Sequence, residues 1–278
     1  MAYQQEPDSI VWGTRSDGQL LSMTYRREED VTAWSRHIIG GSYGSSNAVV
    51  ESVITIPGST ASGQTQDSLD RDEIWVVAKR TINGSTVRYV EFFERDYEEG
   101  DSQEDSYYSD SLLTYDSTAT TSLTGAAHIA VETAKVLANG AIHTDVEVSS
   151  SGAATLNVAS STVQIGLGYT HRMHTFKLDA GATAGTAQGA TKRIKDVNVS
   201  LLNSHVLKIG PSSSQLDTFD FREVGDEMDT AVPFFTGDQL VEMESDWQKD
   251  PRIVIEDDSP APFTLLALVP RLKTHDLK

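Results

Sequence analysis

Apolar and polar positions alternate in short runs along most of the chain, and turn residues separate the runs. Residues 9–15, 19–26 and 31–38 are rich in β-branched, aromatic and aliphatic side chains, with Ser16-Asp17-Gly18 and Arg27-Glu28-Glu29-Asp30 between them. Runs of this length bounded by such residues predict strands. A fourth run, 49–56, stops at Pro57-Gly58, and its mostly apolar pattern predicts a strand covered on both faces. A polar loop is expected over 59–71, then a fifth strand over 73–79 and a sixth over 86–93. Asn83-Gly84 between the last two predicts a hairpin, because both residues tolerate positive φ. In the sixth run Val87, Tyr89 and Glu91 alternate with Arg88, Val90 and Phe92. Trp12, Trp34 and Trp75 are spaced like large core residues between stacked sheets and are expected to be substantially buried.

The middle of the chain changes character. Asp96, Glu98, Glu99, Asp101, Glu104, Asp105 and Asp110 form an acidic tract, read as a solvated loop, followed by a Thr- and Ser-rich stretch over 113–124. Short strands are expected over 133–137, 142–148, 153–158 and 162–167, with turns at Asn139-Gly140 and Ser151-Gly152. Short strands at close spacing predict a small barrel or a two-sheet insert. Beyond Tyr169, strands are expected over 174–178, 192–202, 206–210, 219–221, 239–243, 252–256 and 263–270, around a small-residue loop over 181–190, with 265–269 in a central position. No long amphipathic helix is expected. The fold class is therefore all-β: a propeller-like or sandwich platform over 1–112, an inserted small β-barrel over 113–169 and a C-terminal β region over 170–278. Four antiparallel strands followed by a new pair is how propeller blades are built, but six strands are too few to close a ring.

Composition narrows the function classes. The 278 residues hold 22 Lys and Arg against 41 Asp and Glu, a formal charge of −19, and no Cys. A disulfide, a zinc–thiolate site and a Cys nucleophile are excluded. The charge argues against an electrostatic grip on nucleic acid, which needs a basic face; a surface past which nucleic acid slides stays compatible with it, because repulsion prevents sticking. No apolar run is long enough to predict a membrane span, and the opening Met1 to Pro7 has neither the basic nor the apolar part of a secretory signal.

Candidate chemistry is sparse. His171 and His174 do not have the spacing of a helical metal pair, and no Glu lies between them. The acidic tract lacks the ligand spacing, central Gly and final Glu of an EF-hand, leaving a cation clamp between subunits as the remaining metal role. Two of the 41 carboxylates could perform glycoside hydrolysis only in the right geometry, and Trp12, Trp34, Trp75 and Trp247 could stack on sugars. Gly40-Gly41-Ser42-Tyr43-Gly44 lacks a phosphate-loop Lys and reads as a flexible connection. No catalytic, cofactor-binding or metal-binding residue is assigned, and no cofactor is expected.

Several ordered motifs carry a resemblance. Pro7-Asp8-Ser9-Ile10-Val11-Trp12, Gly18-Gln19-Leu20-Leu21-Ser22-Met23-Thr24-Tyr25 and Val31-Thr32-Ala33-Trp34-Ser35-Arg36-His37 open it. Asp72 to Gly84, Arg88-Tyr89-Val90-Glu91, Val136 to Gly140, Phe235-Thr236-Gly237-Asp238 and Leu266 to Pro270 continue it in order. The chain resembles the tail nozzle proteins of short-tailed phages (tail tubular protein B-like, or stabilisation, proteins), shortened at the N-terminus. The resemblance implies a propeller-like platform with inserted β-domains, six copies in a ring around the DNA exit channel, and other tail or adaptor proteins as partners. It also implies passage of DNA without specific binding, no membrane, and a place in the virion after assembly in the host cytoplasm. The alternatives are a tail-associated carbohydrate-binding or depolymerase module, and a scaffold or adhesin of a bacterial cell.

Overall fold

The computed structural model describes residues 1–58, 71–98, 100–179, 181–182, 185–228, 230–243 and 245–275. The polar loop expected over 59–71 lies outside the described residues except for Arg71, as does Glu99 of the acidic tract. The chain is all-β, in several antiparallel sheets, and the only helical pieces among the described residues are two 3-10 turns. No helix is long and apolar enough to cross a membrane among these residues. The chain forms two compact units: Met1–Asp96 with Ser109–Ala138 and His143–Tyr169, and Tyr97–Tyr108 with Asn139–Ile142 and Thr170–Lys278.

The first unit begins with β1 (Ala2–Gln4), β2 (Ile10–Thr14), β3 (Leu20–Arg26) and β4 (Val31–His37), a four-stranded meander in chain order. Two very short strands, β5 (Ser42–Tyr43) and β6 (Ser46–Asn47), lead to β7 (Val49–Ile56), β8 (Glu73–Ile82) and β9 (Ser85–Phe92), which form a second sheet in that order. Asn83 and Gly84 take φ values of 47° and 72°, the left-handed pair that closes a two-residue hairpin. The inner faces of the two sheets share a core of Trp12, Leu20, Val50, Ile74, Val76 and Ala78. The six expected strands are thus present, and they stack as an open sandwich.

The insert comprises β10 (Asp110–Leu123), β11 (Thr133–Ala138), β12 (Ala141–Glu147) and β13 (Ala154–Leu167), in the order β10-β13-β11-β12. It is not the expected barrel. The sheet leaves β10 and β12 as edges, and four strands are too few to curl back on themselves. The two short strands expected over 153–158 and 162–167 are one fourteen-residue strand, and the Thr- and Ser-rich stretch is a strand of the same length opposite it. The insert shares the first unit because Ile82, Val87 and Tyr89 of the β8–β9 hairpin pack into its core against Leu123, Val136 and Ile165.

The second unit holds β14 (His171–His174), β15 (Gly181–Ala182), β16 (Gly185–Thr186), β17 (Thr191–Ser204), β18 (Val206–Ser212), β19 (Gln215–Asp220), β20 (Phe235–Glu242), β21 (Val254–Asp257) and β22 (Thr264–His275). Sheets ordered β14-β21-β18-β19 and β20-β17-β22 enclose Ile194, Val199, Leu207, Ile209, Val241 and Ile255. The 265–269 run does not lie on a central strand. That place belongs to β17, and on edge strand β22 Leu266 and Val269 are exposed. The expected 174–178 strand is displaced to 171–174, where it pairs with β21.

Candidate assembly surface on the first unit

In the first sheet, alternation sends Leu20, Ser22 and His37 inward with Trp12. The Trp12 indole donates to Gln4 at 2.9 Å and lies 5.0 Å from the His37 ring. Burial pushes the His37 pKa down, and its Nε2 shares a 2.7 Å hydrogen bond with Ser22 Oγ. The opposite positions face out. Cross-strand register places Tyr3, Val11, Met23 and Trp34 in one row across all four strands, flanked by Leu21 and Arg36 on one side and Tyr25 and Thr32 on the other. Trp34 is 66% exposed, which corrects the expectation that it would be buried. The reason is topological: β4 is an edge strand, and six of its seven residues are exposed.

The second sheet repeats the arrangement. Ile74, Val76, Ala78 and Arg80 of β8 point inward, and Trp75, Val77 and Lys79 outward. Register aligns Ile54, Trp75 and Phe92 in one outer row and Ser52, Val77 and Val90 in the next. Ile54, Val90 and Phe92 are 58%, 68% and 44% exposed. Trp75 is half-buried rather than buried; its ring lies 5.1 Å from Phe92 and its indole donates to Glu73 at 2.9 Å. The strand expected to be covered on both faces, β7, is covered on one. Charged side chains at the far end of this face pair among themselves, Glu51 with Arg88 at 2.7 Å and with Lys79 at 3.6 Å.

A polar network holds the second sheet from behind. Arg80 is fully buried; Nη1 and Nη2 donate to the two Glu91 carboxylate oxygens at 2.6 and 2.9 Å, and Nε donates to Gly40 O at 2.7 Å. Glu91 also accepts from Ser111 Oγ, and Asp110 accepts from the Gly40 N–H at 2.5 Å. Enclosure of its carboxyl pushes the Asp110 pKa up to about 6, while the Gly40 bond and nearby Arg80 pull the other way. Asp110 is therefore a constructed part of the fold, not a member of a solvated loop. Gly40 is pinned as well, since a Cβ there would stand 2.8 Å from Leu167 O, so the Gly-rich connection is fixed at its start. No local signal marks Asp110 or Arg80, because their shared partner Gly40 lies 70 and 40 residues away.

The other candidates do not converge. Among the described residues, no three His, Asp or Glu side chains are grouped so as to hold a metal ion. In the second unit, His171 opposes Asp257 across β14 and β21 while His174 opposes Val254. His171 stacks on Phe263 at 5.4 Å, and burial lowers its pKa. Lys208 reaches Asp257 at 2.6 Å and Asp258 at 3.1 Å, an ion-paired support under β21. Several described residues of the tract are held by hydrogen bonds, including Gln103 Nε2 to Gly140 O at 2.9 Å and the Glu98 N–H to Asp101 at 2.8 Å. An open hollow of about 430 Å³ lies along β12, lined by His143, Asp145, Glu147 and Asn157 among others. Its carboxylates are already engaged, Asp145 with Lys135 at 3.0 Å and Glu147 with the Thr133 hydroxyl at 2.5 Å. Trp247 is 48% exposed beside His275. No protein-family model matches the chain, and comparison with the curated proteins finds no match.

Proposed function

We propose that the chain is a non-enzymatic structural protein of a phage tail, a nozzle or head–tail adaptor whose copies assemble, six to a ring, around the DNA channel. The observation that carries the assembly part is the pair of stacked sheets whose outer faces both bear apolar rows, with Trp34, Ile54 and Val90 more than half exposed in a single chain. Contiguous exposed apolar surface of this kind marks interaction sites. The phage-tail part rests on the ordered motifs from Pro7 to Pro270. Charge is consistent with the role: six copies at −19 each carry −114, so a lumen rich in carboxylates would repel DNA phosphates and let the duplex move without sticking. The mechanism is passive. A rigid β ring holds the aperture open, and DNA passes through it from the head. Electron micrographs of the concentrated chain are expected to show sixfold rings with an open centre, and lumenal carboxylates replaced by Lys should confer salt-dependent duplex binding. Particles without a ring would overturn the proposal.

A second reading, a tail-associated carbohydrate-binding or depolymerase module, is favoured by the solvent-facing Trp34 and Trp247 and by the β12 hollow with Asp145 and Glu147. Turnover of polysaccharide or peptidoglycan, lost on changing Asp145 and Glu147 to their amides, would select it over the first.

A further inference from the structure

The two outer faces differ in charge as well as in shape. The β1–β4 strand positions on the Trp34 face include no carboxylate, in a chain with 41 of them, and they include Arg36, which has no acidic partner among the described residues. The Trp75 face carries Glu51, Glu73, Lys79 and Arg88. Glu51 pairs with both cations, leaving Glu73 as the carboxylate with no cation partner among the described residues, where it accepts from the Trp75 indole. Among the described strand positions, each face therefore presents one charged side chain without an ion-pair partner, and the two are opposite in sign. The strand positions of a second Trp34 face would offer Arg36 no carboxylate.

We infer that copies of this chain associate head to tail, with the Trp34 face of one copy packed on the Trp75 face of the next. This rests on the reading of the chain as an assembling protein and names the surfaces that do it. Three observations support the pairing. Both faces are apolar sheet surfaces that can stack at the ordinary sheet-to-sheet spacing, as their inner faces already do around Trp12 and Val76. The apolar run of β7 has the pattern of a strand covered on both sides, and this contact covers the second side. Opposite charges at Arg36 and Glu73 favour unlike over like faces. Size is also informative. The four strands β1 to β4 are three, five, seven and seven residues long, and at about 3.3 Å of rise and 4.8 Å of strand spacing per residue they span about 350 Å² of sheet. Stable pairs need about 800 Å² per partner, so one such contact is weak alone. Each copy makes two of them, one through each face, and a closed ring satisfies both at once. Contacts between unlike surfaces generate rings when the rotation closes and filaments when it does not.

The absence of Cys permits a clean test. Thr32→Cys places a thiol on the Trp34 face and Val90→Cys on the Trp75 face, both at exposed positions. A short bismaleimide should give dimers when the two variants are mixed and none with either alone, while a chain carrying both changes should give a ladder of multiples. Trp34→Ala should weaken association at least tenfold, as expected for a large aromatic side chain covered by a partner. Cross-linking of either single variant with itself, without mixed dimers, would overturn the head-to-tail pairing. So would the absence of any cross-link in samples whose scattering mass shows association, and then the assembly reading would stand with other surfaces. A single-copy mass at every concentration would remove both.

Discussion

The insert sheet and the N-terminal pair of sheets build their cores alike and finish their surfaces differently. Inside, both are dense: Leu123, Val136, Val163 and Ile165 in one, and Leu20, Val50, Val76 and Ala78 in the other, are all 4% exposed or less. Outside, β10 shows solvent Thr114, Asp116, Thr118, Thr121 and Ser122, while β4, β7 and β9 show it Trp34, Ile54, Val90 and Phe92. An outward Thr costs a strand little and keeps its β-propensity, whereas an outward Trp or Ile on an open sheet invites unwanted pairing. The contrast is what the proposed assembly requires, with neighbour contacts on the N-terminal sheets and solvent on the insert, and Val158, 64% exposed, is the large apolar exception on the insert's strands.

Five substitutions probe that contrast, and the largest effects lie inside. Arg80→Ala leaves Glu91 without its bidentate partner behind the second sheet, and a broken buried pair costs about 3–5 kcal/mol; urea unfolding followed by Trp fluorescence should show the loss. Trp12→Ala, on the inner side of the first sheet, should cost about 3–4 kcal/mol by the same measurement. Asp110→Asn sharpens the account of the supporting network. The folded pKa of Asp110 is raised from 3.8 to about 6, so the folded state binds the proton more tightly than the unfolded chain. Its contribution to stability is therefore fully present below pH 4 and is lost as pH rises through about 6. Relative to the wild type, the Asn variant, which keeps an acceptor for the Gly40 N–H, should gain about 2–3 kcal/mol between pH 4 and pH 7. A stability difference that is flat over that window would show that Asp110 is not enclosed. The smallest effect belongs outside: Trp34→Ala and Val158→Ser should each change the stability of the dilute single chain by no more than about 0.5 kcal/mol, although only the first should weaken assembly.

Much of this arrangement is legible in local sequence. Strands β2, β3, β4, β7 and β9 lie within a residue or two of their expected bounds, because turn residues such as Ser16-Asp17-Gly18 and Asn83-Gly84 punctuate clear runs. The alternation of Val87, Tyr89 and Glu91 with Arg88, Val90 and Phe92 correctly separates inner from outer positions. Strand β10 is obscured because Ser and Thr separate its inward Leu113, Tyr115 and Leu123, and β13 because Ser160-Ser161 imitates a turn in the middle of a long strand. The burial of a Trp is a property of its neighbours. Trp12 and Trp34 sit in similar local contexts, yet Trp12 points into the core from a strand flanked on both sides and Trp34 points outward from an edge strand. The Arg80 network was illegible for the same reason, since Gly40, Glu91 and Asp110 are brought together only by tertiary packing.

The central claim is that the outer faces of the N-terminal sheets are covered by other copies. Light scattering across a concentration series, on the wild type and on Trp34→Lys, tests it most directly. The account predicts a wild-type mass that climbs from 30.3 kDa to a multiple of it, and a Trp34→Lys variant that remains at the single-copy mass under the same conditions. A wild type that stays at 30.3 kDa throughout, or a variant that assembles as the wild type does, would contradict it.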